Sequence, residues 1–541
     1  MKKVLSFLPF FLSLCLIWLF WSTAVSSSWS RISSIQTIEP YAFAAHEQLM
    51  RNFSSTGQFA QTIHSGYDDK WTWSGHRALT LPIVAKLYGI APSAKNLSAL
   101  MISIIALGAL PAGALCMRYM RSNWGFLFGA FAYLIAPPTM ALSLQDYQDL
   151  CLALPCLIFA MWAFSTGKIV LVILGALVGI AAREECVPMT IAIAFLMVPY
   201  KKRRSSSWVS RQSPPRISWL RWFLGAFIGS LIAVTYIWFA EKYYPIATSG
   251  HDMPLQNAVA SLGSGQIFLE GWLYRYRFYV LIWVPLGMLA IFSPLVALPG
   301  VALCLLHMTV PEGHGVDRSW SLHCHHMAPA VAFATAAVAI GGGRLLRWIR
   351  FLPLGSVIQG AVFCGALSWS SWWWWSWSEY YNLVPTYKIE EPEWVHPVWE
   401  LLDDLPEDAV PLVSKKYSIA ASHFMRSYTF DESLYSKEPH KGVSVATHIV
   451  YDVRREKVGE WIQRMPGYEE LKEEYPFVLA TWNQRSLDVG FRPRFSSIHA
   501  WTGPYNKGSD IPGVPPHEKR LQVRMDGSFP IIRLWKAPLR K

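Results

Sequence analysis

Two charged clusters interrupt otherwise apolar sequence, Gln145-Asp146-Tyr147-Gln148-Asp149 and Arg183-Glu184-Glu185. A charge within or at the edge of a bilayer costs several kcal/mol unless it is paired, solvated or able to snorkel, so such clusters mark polar sites held by surrounding helices. Their carboxylates can take up a proton and their guanidinium can hold an anion, if the fold brings the two together. Glu47, His76 and Arg318 are of the same chemical kinds and stand in polar segments, and His326 stands near the start of an apolar one. His323-Cys324-His325-His326 offers metal-binding side chains, but four consecutive residues rarely close around one ion, and no C-x-x-C pair occurs in the chain. Asp68-Asp69 reads as a solvated turn or as a divalent cation site.

These residues must be positioned by membrane helices. Of 541 residues, 52% are hydrophobic and only 16% are charged, and the apolar runs are too many and too long for one soluble core. The net charge of +12 is carried largely by residues that flank apolar segments, including Lys201-Lys202-Arg203-Arg204 and Arg344, Arg347 and Arg350. It reads as membrane topology and not as a nucleic-acid surface. Apolar segments fall at about 4–25, 97–117, 124–142, 150–165, 169–182, 186–200, 220–240, 278–293, 295–311, 322–343 and 351–371. With about 11 crossings, Lys2 and Lys3, Arg118 and Arg121, Lys168, Lys201 to Arg204 and Arg344 to Arg350 share one side. The N-terminus is then cytoplasmic and the C-terminal region extracytoplasmic.

The stretch 169–200 crosses twice only if two short helices meet at a corner near Arg183-Glu184-Glu185, with Pro188 in the first turn of the second. The expected organisation is a transmembrane domain over 1–378, including a first extracytoplasmic loop at 26–96, and a small α/β domain over 379–541. In the latter, strands are expected at Val410 to Val413, Val443 to Tyr451 and Phe477 to Thr481, short helices at Val395 to Leu405 and Ser418 to His423, and a further helical stretch from Val458 that resumes after Pro466-Gly467 and runs to Glu474. No cysteine follows Cys364, so this domain is expected to fold without disulfides.

Ordered short motifs over roughly residues 35–345 resemble the DUF2079 family of predicted bacterial membrane proteins. They are Tyr41-Ala42-Phe43-Ala44-Ala45-His46-Glu47-Gln48-Leu49, His76 ahead of Leu81-Pro82, Leu87-Tyr88-Gly89-Ile90-Ala91-Pro92-Ser93, Ala109-Leu110-Pro111, Tyr133-Leu134-Ile135-Ala136-Pro137 with the following Gln145 to Asp149, Arg183-Glu184-Glu185, and His325-His326-Met327-Ala328-Pro329. Ala42 stands where the family pattern usually has Asp, and Gln148 where it has His.

Such proteins resemble integral-membrane glycosyltransferases of the GT-C type. The resemblance implies a protein of the bacterial cytoplasmic (inner) membrane that transfers a sugar from a polyprenyl-phosphate donor to an extracytoplasmic acceptor, with a divalent cation as a candidate cofactor. Glu47, Asp146 and Glu184 are then the candidate catalytic acids, able to deprotonate an acceptor hydroxyl. His76, Arg183, Glu185, Arg318 and His326 are the candidates for holding the donor, the cations among them facing its phosphate. Structural readings stand beside these: Glu47 as a solvated helix residue, Asp146 as a helix cap, and Arg183 paired with Glu184 or Glu185 at the corner. The expected partners are membrane lipids, the lipid-linked sugar and a protein partner through the C-terminal domain, with no nucleic acid. A catalytically inactive GT-C-like subunit and a transporter are the alternative functions. The first loop, the 143–149 turn, the 183–185 corner and the 318–326 segment are expected to form one polar cavity.

Overall fold

A computed structural model of the chain describes residues 2–35, 40–57, 80–183, 185–197, 219–243, 289–308 and 327–355, parts of 356–369, 398–430 and 448–482, and Ile63, Ala78 and Trp283. The membrane part is helical: α1 (Lys2–Ser33), α2 (Pro40–Thr56), α3 (Leu81–Tyr88), α4 (Ala94–Leu107), α5 (Ala109–Met120), α6 (Trp124–Leu134), α7 (Pro137–Ser143), α8 (Ala153–Thr166), α9 (Ile169–Ala181), α10 (Cys186–Leu196), α11 (Trp219–Tyr243), α12 (Pro294–Met308) and α13 (Ala328–Ile349). Among the described residues, four helical stretches are long and apolar enough to cross a membrane: Ser6–Ser33, Ala94–Met120, Asp149–Thr166 and Ala328–Ile349. Shorter apolar helices accompany them, α9 and α10 included. Exposed Phe7, Phe11, Trp18 and Leu19 on α1 fit a helix at the edge of the bundle facing lipid.

Side-chain hydrogen bonds fix the direction of the first spans. At one end, Asn123 Nδ2 donates to Ser6 O at 3.1 Å. At the other, Trp29 Nε1 donates to Lys95 O at 2.8 Å, and the Ser28 and Ser98 hydroxyls meet at 2.5 Å. The first end also gathers the basic residues. Arg344 lies over the Tyr119 ring at 5.3 Å, and Arg347 is near enough to Arg121 for their charges to interact. α9 and α10 meet at a corner at 182–185, with Pro188 in the first turn of α10. The run 124–142, continuous in hydropathy, is two helices, because Pro137 cannot donate to a continuing ladder and instead opens α7.

Small residues let α5 and α6 pack backbone to backbone. A Cβ on Gly129 would stand 2.5 Å from Ala112 O and 2.7 Å from Cys116 Cβ, and one on Gly113 would stand 2.7 Å from Phe126 O. Gly129→Leu is therefore expected to push the two helices apart, lowering stability by about 1–3 kcal/mol or more. A thermal midpoint in detergent checks this, and an unchanged midpoint would contradict the tight contact.

Among the described residues toward the C-terminus, five strands, β1 (Pro411–Ser414), β2 (Tyr428–Phe430), β3 (His448–Asp452), β4 (Tyr468–Glu474) and β5 (Phe477–Trp482), form one sheet in the order β2-β1-β3-β5-β4. β1 pairs in parallel with β2 and β3, whereas β5 pairs antiparallel with β3 and β4. Between β1 and β2 runs a 3-10 turn at Lys415–Ala421. The helical expectation over 468–474 is corrected. Glu, Leu and Lys favour helix by intrinsic propensity, but the segment pairs antiparallel with β5 from Tyr468 opposite Trp482 to Glu474 opposite Phe477, and ladder pairing overrides that weak preference.

Candidate active site

The acidic turn and the arginine corner meet at the end of the bundle away from the clustered arginines. After α7, residues Gln145, Asp146, Gln148 and Asp149 are buried although polar. Asp149 opens a 3-10 turn that leads into α8, and its Oδ1 accepts the Leu150 N–H at 2.9 Å. Arg183, only 1% exposed, approaches Asp149 Oδ1 with Nη1 at 4.0 Å and pairs through Nη2 with Glu185 Oε1 at 3.3 Å. Glu185 itself is exposed. Arg31, in the last turn of α1, interacts electrostatically with Asp146.

The first loop covers the same place. The His46 ring packs edge-on against Tyr147 at 5.6 Å, and its Nδ1 lies 2.8 Å from Ala42 O. Farther along, Thr80 N–H donates to Ala181 O at 3.0 Å, which joins the start of α3 to the end of α9. The first loop, the 143–149 turn and the 183–185 corner are thus brought together. Candidate residues Glu184, His76, Arg318 and His326 lie outside the described residues, as do Asp68 and Asp69.

Several buried donors around this turn have no hydrogen-bond partner among the described residues: Arg31 Nε, Gln145 Nε2, Tyr147 OH and Arg183 Nε. Leaving a buried donor unsatisfied costs about 1–3 kcal/mol, more when it is charged. Their shared chemistry is donation, two from guanidinium groups, which suits an oxygen-rich anion such as phosphate. Among the described residues, no group of three or more His, Cys, Asp or Glu side chains could hold a metal ion.

Glu47 occupies a different environment. It is 2% exposed, and Tyr88 OH donates to its Oε1 at 2.9 Å while its Oε2 meets the Ser422 hydroxyl. Arg51 is 3.8 Å away on the same helix. Burial, the largest cause, holds the Glu47 carboxyl above the usual carboxylate range against the opposing effects of Ser422, Arg51 and Tyr88. The solvated-helix reading of Glu47 is thereby corrected. Beside it, Gln48 Nε2 donates to Phe424 O at 3.2 Å and Ser427 Oγ at 3.1 Å, and Gln48 Oε1 accepts the Ile63 N–H at 3.3 Å. Trp399 Nε1 adds a bond to Ser33 O at 3.2 Å. Sequence reading missed Ser422, Phe424 and Ser427, since nothing local marks a residue whose partner lies some 375 positions away.

A family model described as DUF2079, predicted membrane protein, matches residues 39–409, well over half of the chain. The chain belongs to the DUF2079 family. No protein with a curated description matches this DUF2079 member. Among solved structures it is similar to ArnT from Cupriavidus metallidurans bound to undecaprenyl phosphate, with TM-score 0.50 and 8% identity over 88% of this chain and 98% of that one. It is also similar to the Archaeoglobus fulgidus oligosaccharyltransferase tethered with an acceptor peptide, with TM-score 0.40 and 11% identity over 89% of this chain and 75% of that one. At such identity the likeness is one of fold, and the DUF2079 protein has the GT-C architecture of membrane glycosyltransferases.

Proposed function

We propose that this protein transfers a sugar from a polyprenyl-phosphate donor to an acceptor at the extracytoplasmic face of the bacterial inner membrane. The observation that carries this reading is the buried donor set of Arg31, Gln145, Tyr147 and Arg183 gathered around the carboxylates of the 145–149 turn. Fold likeness to a protein solved with undecaprenyl phosphate supports a lipid phosphate as the anion. In this reading Asp146 accepts the proton of the acceptor hydroxyl, so that the oxygen can attack the sugar carbon as the carbon–phosphate oxygen bond breaks. Arg183 and Arg31 stabilise the charge gathering on the departing phosphate, with Tyr147 and Gln145 completing its hydrogen bonds. Asp149 and Glu185 keep Arg183 oriented.

The arginines gathered at the opposite end support this orientation, since the positive-inside rule favours basic residues on the cytoplasmic side. The sheet of residues 411–482, and with it a domain over 379–541, is then extracytoplasmic, where it could meet an acceptor or a protein partner. A second reading, a GT-C-like subunit without transfer activity, draws on Ala42 and on the engagement of both Glu47 oxygens. The deciding experiment places purified protein in nanodiscs with polyprenyl-phosphate sugars and measures release of free polyprenyl phosphate. Release that depends on protein and acceptor supports transfer. Its absence across donors, with a partner co-purifying in stoichiometric amount, supports the subunit.

A further inference from the structure

From Phe43 to Met50 the helix α2 is buried at every position, although this stretch carries His46, Glu47 and Gln48 and α2 is not among the apolar helices. Buried polar side chains need partners in the protein, and the two sides of α2 find different ones. At 3.6 residues per turn, positions two apart point about 160–200° from one another, so His46 and Gln48 face nearly opposite ways. The His46 ring meets Tyr147 of the acidic turn. Gln48, fully buried, meets the C-terminal region instead.

The Gln48 amide is used at every polar atom. Its Nε2 donates one hydrogen to Phe424 O and one to Ser427 Oγ, and its Oε1 accepts the Ile63 N–H. Turning the amide over would set a donor against the Ile63 N–H and an oxygen against the Phe424 carbonyl, so the hydrogen bonds allow one orientation. Thr429 Oγ1, on β2, reaches Ile63 O at 3.5 Å, so α2, the chain at Ile63 and the C-terminal region meet at this point. Directional bonds of this kind fix a helix in register, which an apolar contact alone does less strictly.

We propose that Gln48 is a positioning residue for the candidate site: its amide seats α2 on the C-terminal region, and the seated helix holds His46 against Tyr147. The Tyr147 hydroxyl is one of the buried donors without a partner among the described residues, so its placement decides where an anion is met. Gln48 itself touches no reacting group and acts through His46. The C-terminal region is thereby a supporting wall of the site. The effect on turnover rests on the transfer reaction proposed above, whereas the effect on the acidic turn does not.

The test uses full-length protein in nanodiscs and compares wild type, Gln48→Leu, Ser427→Ala, His46→Ala and the double variant Gln48→Leu with His46→Ala. Leucine is close to glutamine in size and makes none of its hydrogen bonds. Gln48→Leu should speed hydrogen exchange by roughly tenfold or more over residues 411–430, as expected for buried hydrogen bonds broken on one side. It should also speed exchange over 147–151, where Asp149 Oδ1 holds the Leu150 N–H and Gln148 O holds the Cys151 N–H. His46→Ala should speed the second stretch alone, and adding Gln48→Leu to it should speed that stretch no further. Per folded molecule, kcat of Gln48→Leu should fall roughly tenfold to a hundredfold with little change in donor KM, the pattern of a displaced group in the transition state. Faster exchange confined to 411–430, no change in either stretch, additive effects of the two substitutions on the acidic turn, or wild-type kcat despite a loosened turn would each overturn the proposal. Absence of turnover in wild type would count against the transfer reaction, and the exchange comparison would still decide the role of Gln48. Ser427→Ala removes a single acceptor and should show the same pattern more weakly, which keeps the test decisive should Gln48→Leu not fold.

Discussion

Asp146→Asn should lower sugar turnover by roughly 10²–10⁴-fold, the usual contribution of a positioned general base. Asparagine keeps the size of the side chain and removes its ability to take the acceptor proton. Because the lost interaction belongs to the transition state, kcat should fall far more than the donor KM rises. Arg31 interacts with Asp146, so thermal midpoints must accompany the kinetics to separate lost chemistry from a displaced helix end. Wild-type turnover in this variant would remove Asp146 as the base and leave Glu184, next to Arg183 in the sequence, as the acid to test.

Arg183→Met should be the most damaging single change to the fold of the site. The guanidinium is buried beside Asp149, which is itself 2% exposed, and removing one partner of a buried ion pair leaves an uncompensated charge, at a cost of about 3–5 kcal/mol. Glu185 is exposed and contributes little by itself, since exposed pairs are typically worth about 0–1 kcal/mol. The paired change Arg183→Met with Asp149→Leu should recover much of the stability, because an apolar pair of similar volume can replace a buried ion pair. Transfer should remain absent in both variants if Arg183 also holds the phosphate. Midpoints measured across the single and double variants check the first expectation and turnover checks the second. A stable double variant with full turnover would confine Arg183 to a structural role.

The elements that hydropathy controls are legible in the sequence. Alternating apolar runs, basic flanks and the corner near Arg183 all follow from the cost of placing charge in lipid, which is a local property of the chain. Pairings across the fold are not local. Arg183 with Glu185 is readable because the partners are two positions apart, whereas Arg183 beside Asp149 requires the mutual packing of α8 and α9. The polar character of Glu47 is plain, but its burial depends on Ser422 and on the 3-10 turn that carries it. Strand β4 shows the same limit: Tyr468 to Glu474 is rich in helix-forming residues, and only the antiparallel partner Phe477 to Trp482 decides its conformation.

The contact between residues 47 and 422 also sets a timetable for biogenesis. The two partners are 375 positions apart. At roughly 5–20 residues per second, a ribosome needs about 20–75 s to make the chain between them. During that interval Glu47 can meet Tyr88 and Arg51, and Gln48 can meet Ile63, but Ser422, Phe424 and Ser427 are not yet made, so the faces that meet them stay hydrated. Closure of the loop is thus a late, post-insertion event, and a chain stopped before Ser422 would present that hydrated loop to chaperones and quality-control proteases.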